Sequence, residues 1–246
     1  MRVEFDFEGV SVLVTGGTSG IGHGIASAFH SAGAEVSVTG TRASVDDYPT
    51  ELDLGRFGYS GVDLVDPVAV DRLADGVGTL DVLVNNAGAT IDDESSPDGF
   101  ARSVELNLLA AQRLTARLGP VLMASDAPGS ASVINMASMS ATRPSRFVPG
   151  YGAAKAAIVQ MTRHLGMEWA ERGVRVNAIA PGLILTGMTE IMTQIPDLAD
   201  AELAKVPMGR WGTPDDVAPT ALFLASSAAA FLTGQTVNVD GGYSLT

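Results

Sequence analysis

Tyr151 and Lys155 stand four residues apart in Tyr-Gly-Ala-Ala-Lys, at the start of a stretch, 150–172, where Ile158, Met161, Leu165 and Trp169 recur with helical period. That spacing stacks a phenol and an ammonium on one helix face. A phenol ordinarily ionises near pH ~10, so proton exchange near neutrality asks for ~4 kcal/mol of help from its surroundings. An ammonium in a partly desolvated cleft can supply much of that. The same pair could decorate an exposed helix face. Two features weigh against this: the chain has only two lysines, Lys155 and Lys205, and the Gly/Ala-rich turn leaves room for a ligand. Upstream, Ser138 and Ser140 follow an apolar run. A hydroxyl there can donate to an oxygen on which charge develops, or simply cap a turn. Asn107 lies inside a helical pattern, a mildly unfavourable place for Asn. A local kink would account for it, and so would an exposed polar face.

A second group of residues is suited to phosphate. After the first apolar run comes Thr15-Gly16-Gly17-Thr18-Ser19-Gly20-Ile21-Gly22, and His23–His30 continues with helical pattern. Glycines permit a tight turn and close approach of backbone to a pyrophosphate, while the helix that follows offers free N–H groups and a positive dipole end. The spacing is Gly-x-x-x-Gly-x-Gly, and its position between strand and helix is the context such a loop requires. Asn85-Asn86-Ala87-Gly88 follows the apolar run Leu80–Val84. Ligands of open α/β sheets bind beyond the carboxyl ends of strands, and Asn there can brace a neighbouring loop. A plain turn is the competing account of this tetrapeptide.

The elements that must hold these residues alternate along the chain. Strands are expected at Val10–Thr15, Glu35–Thr39, Gly58–Val62, Leu80–Asn85, Ser132–Ala137, Val174–Ala180 and Thr236–Val239, and helices near 20–32, 66–76, 98–120, 150–172 and 214–227. Such alternation reads as βαβ units. With right-handed crossovers it predicts an α/β fold, a doubly wound (Rossmann) seven-stranded parallel sheet with helices on both faces, in a single domain spanning 1–246. Residues 125–130 read as a Pro/Gly-bearing loop. Residues 183–210 break the alternation, and a long excursion of that kind is often a substrate loop.

Composition excludes several classes. A formal net charge of −13 argues against nucleic acid as a partner, because phosphate neutralisation needs clustered cations. No apolar run approaches the ~20 residues of a membrane span. The start, MRVEFDFEGV, lacks the apolar core of a secretory signal. There is no cysteine, hence no disulfide or thiolate site, and His23, His30 and His164 lack zinc-ligand spacing, so no metal is expected. A cytoplasmic protein acting on a small molecule is the expectation.

In their order and spacing these motifs resemble the short-chain dehydrogenase/reductase family over nearly the whole chain: TGGTSGIG at 15–22, Asp63, NNAG at 85–88, Asn107, Ser138, YGAAK at 151–155, and Pro181-Gly182 with Thr186. Ser138, thirteen residues before Tyr151, matches the family's serine, and Ser140 does not. The resemblance implies hydride transfer between a nicotinamide cofactor and a carbonyl or secondary alcohol, with Asn107, Ser138, Tyr151 and Lys155 as the catalytic set. Tyr151 would be general acid or base, Lys155 would lower its pKa and hold the nicotinamide ribose, Ser138 would polarise the carbonyl, and Asn107 would anchor a water leading to solvent. Thr15, Gly16, Ile21 and Asn86 would line pyrophosphate and ribose, Asp63 would lie near the adenine, and Ile184 and Thr186 would contact the nicotinamide amide. Thr18, Ser19, Gly20, Gly22, Thr41, Arg42, Leu64, Ala87, Gly88, Pro181 and Gly182 would complete the cofactor contacts. Residues 206–217 are similar to those of 3-oxoacyl-thioester reductases in the family. A homotetramer, or a dimer, joined through helices 98–120 and 150–172 and the last strand, is implied as well.

An acid ending the second strand would bind a ribose 2′-OH and repel a 2′-phosphate. Gly40, followed by Thr41 and Arg42, stands there, so NADP(H) is favoured, with NAD(H) possible; Arg42 can bind phosphate bidentately, although Asp46 and Asp47 lie close by. Alternatives on the same fold are an epimerase or dehydratase and a catalytically silent dinucleotide-binding or scaffold protein.

Overall fold

Hydrophobic alternation within each strand determines how the layers assemble. In β1 (Ser11–Val14), Val12 and Val14 face one way and Leu13 the other, as the two-residue period of a strand requires. The computed structural model, which describes residues 4–127 and 129–246, shows the consequence. Val12 and Val14 pack with Ile25, Phe29, Val217 and Leu224 on one face. Leu13 joins Val70, Leu114, Leu118, Leu122 and Trp169 on the opposite face. The remaining strands are β2 (Glu35–Gly40), β3 (Gly58–Gly61), β4 (Val82–Asn85), β5 (Ala131–Met136), β6 (Val174–Pro181) and β7 (Thr236–Val239). They form one parallel sheet in the order β3-β2-β1-β4-β5-β6-β7. Every residue of β4, β5 and β6 is buried, as expected of strands covered on both faces.

Helices α1 (Gly20–Ser31) and α8 (Pro214–Ala225) cover the first face, while α2 (Pro67–Asp75), α4 (Ala110–Met123) and α5 (Pro149–Trp169) cover the second. The order reverses between β1 and β4, which opens a crevice at their carboxyl ends. The expected strands and sheet are therefore present. The stretch 98–120 is not one helix: α3 (Pro97–Val104) gives way to a π turn at Glu105–Leu109 before α4 begins. Residues 183–210 are not a plain loop but carry α6 (Glu190–Thr193) and α7 (Pro196–Leu203). Of the loop expected at 125–130, Pro128 lies outside the described residues, as do Met1–Val3 of the amino terminus. Among the described residues no helix is long and apolar enough to cross a membrane.

Candidate active site

The glycine loop leads into α1. Ser19 is its N-cap residue but makes no side-chain cap, and the first turn holds no acid. The N–H groups of Gly20, Ile21 and Gly22 are thus left to an anionic ligand at the positive end of the helix. Gly16 and Gly20 have φ of 62° and 53°, a region that disfavours side chains. A Cβ on Gly22 would collide with the Asn86 carboxamide and the Gly16 carbonyl.

That collision exposes what the second motif does. Asn86 Nδ2 donates to the Thr15 and Gly16 carbonyls at 3.0 and 3.1 Å. Thr15 Oγ1 in turn accepts from the amides of Asn86 and Ala87 at 2.9 and 3.0 Å. NNAG is therefore a brace for the phosphate loop and not a plain turn. The hydroxyl of Thr15, buried in that brace, does not face the cleft. Thr18 is buried against Gly40, and Thr186 reaches over, close to where a Cβ on Gly20 would sit. A cavity of about 440 Å³ lies here between Gly20, His23, Thr186 and Pro214. Ile184 and Pro181 are buried, with Ile184 held by an isolated bridge to Gly212.

The chemical end assembles beyond β4 and β5. Asn107 is buried in the π turn, a distortion that recurs at functional sites, so the kink and not an exposed polar face accounts for it. Its Oδ1 accepts from Ala89 N at 3.1 Å, and its Nδ2 donates to the carbonyls of Ala89 and Ser103 at 2.8 and 3.0 Å. Both amide hydrogens are thereby engaged, while Oδ1 keeps a second lone pair. A Cβ on Gly88 would meet both Asn107 Oδ1 and Lys155 Nζ, which explains a glycine at that place. Lys155 is buried and donates to the Met136 carbonyl at 2.8 Å. Burial lowers its pKa to about 8.

Tyr151 lies one helical turn away, with Lys155 Nζ 5.4 Å from its ring centroid. Burial pushes the phenol upward, Ser138 beside it favours ionisation, and the charge of Glu94 opposes it; the net direction is up. The Lys155 ammonium, near the ring, is hydrogen-bonded to the Met136 carbonyl. Ser138 caps the short turn Met139–Ala141 by accepting from Ser140 N at 3.1 Å. Its own proton is left to donate to the Tyr151 oxygen beside it.

Two residues that the sequence did not single out belong to this region. Glu94 is 2% exposed and accepts from the Tyr151 amide at 2.8 Å. Tyr48 places its hydroxyl where a Cβ on Gly40 would collide with it, at the end of β2. It accepts from Arg42 N at 3.1 Å, and the Arg42 guanidinium lies 4.6 Å above its ring. Burial raises the Tyr48 phenol, but hydrogen bonds from Tyr59, the Arg42 amide, Thr18 and Thr41 outweigh that and leave it lowered. Asp46 and Asp47 are held by Ser44 in a capping box and make no salt bridge to Arg42. Thr41 is exposed, Leu64 is buried past β3, and Asp63 accepts from Val65 N at 3.1 Å. A signal for Tyr48 existed in Gly40 itself, since a glycine ending a buried strand implies something pressed against it; no local pattern marks Glu94.

The family model described as Enoyl-(Acyl carrier protein) reductase matches residues 16–244. Galactitol 2-dehydrogenase (L-tagatose-forming) of Cereibacter sphaeroides is 37% identical over 99% of this chain and 98% of the relative. The 3-oxoacyl-[acyl-carrier-protein] reductase of Chlamydia pneumoniae is 37% identical over 95% and 96%. The Pseudomonas aeruginosa RhlG/NADP active-site complex superimposes with a TM-score of 0.87 at 34% identity, covering 99% of this chain and 100% of that one. With this fold, and with a braced phosphate loop facing a Tyr–Lys–Ser–Asn cluster, the chain belongs to the short-chain dehydrogenase/reductase family and is an oxidoreductase that transfers hydride between a nicotinamide cofactor and a small carbonyl or alcohol substrate.

Proposed function

We propose that Tyr151 carries the substrate proton, as general acid in carbonyl reduction and general base in alcohol oxidation. The observation behind this is the convergence of Tyr151, Lys155, Ser138 and Asn107 beyond the carboxyl ends of β4 and β5. The glycine cradle and the uncapped turn of α1 fit a dinucleotide pyrophosphate held by Gly16, Ser19, Gly20, Ile21 and Gly22. When bound, the nicotinamide supplies or accepts the hydride. Ser138 donates to the substrate oxygen, so that developing charge meets a fixed hydroxyl. Lys155 stands close enough to the phenol to serve the proton's departure and carries the charge that a ribose hydroxyl would meet. Asn107 acts by holding Gly88 and Ala89 against Lys155. The cover formed by α6 and α7, with Met188 and Ile191 exposed, is the substrate loop.

NADP(H) is the preferred cofactor in this reading. Among the described residues Arg42 makes no salt bridge to a carboxylate, and Tyr48 with Tyr59 fixes the turn that presents it. A homotetramer, or a dimer, fits the exposure of Leu109, Phe147 and Met167 on and around α4 and α5. A cytoplasmic location is supported by composition alone, a cysteine-free acidic chain. A panel of ketones and secondary alcohols, followed by absorbance of the reduced cofactor, tests the activity. In that assay Arg42→Ala is expected to raise the KM for NADP about tenfold, the loss of one charged hydrogen bond, and to leave that for NAD unchanged. A higher kcat/KM with NAD in the parent enzyme would reverse the cofactor assignment.

A further inference from the structure

Glu94 is the one fully buried carboxylate among the described residues, and nothing in the chemistry above requires it. It lies in the loop between β4 and α3. Oε1 accepts from Ile91 N at 2.9 Å and Ser103 Oγ at 3.2 Å, and Oε2 accepts from Tyr151 N at 2.8 Å. No Lys or Arg stands within salt-bridge distance of it among the described residues. Three donors converge on it, the pattern of an acceptor-only group.

Its position along α5 is telling. The N-cap, Val148, offers no side-chain oxygen, and Pro149 and Gly150 fill the first two helical places. Tyr151 is therefore the third residue, whose N–H an N-cap side chain ordinarily satisfies. Glu94 does so from a distant loop, at the positive end of the helix dipole. The docking is close: a Cβ on Gly150 would come within 2.9 Å of Ser103 Cβ and 3.3 Å of Glu94 Oε2. The loop, α3 and α5 thus meet at a single carboxylate.

We propose that Glu94 is a positioning residue, which through the amide of Tyr151 fixes how deep the first turn of α5, with its phenol, sits in the cleft. This rests on the reading of Tyr151 as the proton carrier. Because the anchor is charged, it also bears on when the phenol ionises, and removing the charge makes the phenolate easier to form. The other groups facing Tyr151 are Lys155 and Ser138. On the neighbouring elements the remaining charges are engaged or turned outward. Arg102 donates to the Asp92 carbonyl, Glu105 is paired with Arg113 at 3.1 Å, Arg143 lies over Tyr243, and Asp98 and Arg146 are exposed.

Two variants separate charge from reach. Glu94→Gln keeps the length but loses the charge and one acceptor oxygen, so kcat is expected to fall as well, while the rise of kcat/KM with pH in alcohol oxidation moves about one pH unit lower. Glu94→Asp keeps the charge and loses the reach. It is expected to lower kcat roughly tenfold or more, since small misplacements at a reacting centre are costly, with the midpoint of the pH profile within about 0.3 of the parent's. Thermal melts establish that each variant is folded. If Glu94→Gln does not fold, the Asp variant alone decides. A folded Gln variant with a superimposable pH profile, or a folded Asp variant with unchanged kcat, overturns the proposal. Tyr151→Phe run alongside separates the two readings: if it is inactive while the Glu94 variants behave as the parent, only the role of Glu94 fails, and if it stays active, the reading of Tyr151 fails first.

Discussion

At the residue scale, the phenol is the group whose behaviour depends most on its surroundings. Burial and the Glu94 charge hold Tyr151 above the ordinary phenol range, against Ser138. The consequence for pH has a definite sign. Oxidation needs the phenolate, so its kcat/KM should climb as pH rises through neutrality and into the alkaline range. Reduction needs the phenol and should stay high at neutrality, falling only at alkaline pH. Profiles of both directions check this, and an oxidation limb complete below pH ~7 would contradict it. The identities of Tyr151, Lys155, Ser138 and Asn107 were legible from type and spacing. The direction of the phenol's shift was not, because helical spacing shows neither how deeply the phenol is buried nor that the Glu94 carboxylate lies beside it.

At the element scale, strands read well because full burial makes them continuous apolar runs. The helix 98–120 read as continuous because the helical period survives a one-residue π insertion; only Asn107 betrayed it. α6 and α7 were missed because they are short and mixed in pattern, and isolated helices of that length have little propensity to form. One buried cation also escaped notice. Arg175, in β6, donates to the carbonyls of Leu224 and Ala225, closing the carboxyl end of α8, and to those of Ala229 in the turn beyond it and of Gly129. Such terminal carbonyls have no partner within the helix. Arg175→Met should therefore cost about 3 kcal/mol, lowering Tm by roughly 5–10 °C, with little effect on KM. A melt within about 1 °C of the parent's would show that the cap is dispensable.

At the scale of the whole molecule, the sheet order and its reversal point followed from strand–helix alternation and handedness, and the site then had only one place to form. What the sequence could not convey was how the motifs depend on one another. NNAG and TGGTSGIG are a single braced unit, and their bonds cross some seventy residues of chain. The apolar residues left exposed around α4 and α5 lead to an expectation about assembly: sedimentation should find tetramers or dimers at micromolar concentration. Replacing both Phe147 and Met167 by Asp should shift the distribution towards monomer. An unaltered oligomer in that variant would move the interface elsewhere.

The central claim is that one phenolic oxygen moves the substrate proton. Tyr151→Phe removes that atom and leaves the ring, the Glu94 bond to its amide and the glycine cradle in place. The decisive measurement is kcat in both directions for this variant, together with a fluorescence titration of the reduced cofactor. The expected result is a fall in kcat of at least ~100-fold with cofactor affinity unchanged. Turnover within about tenfold of the parent's, with the cofactor still bound, would contradict it.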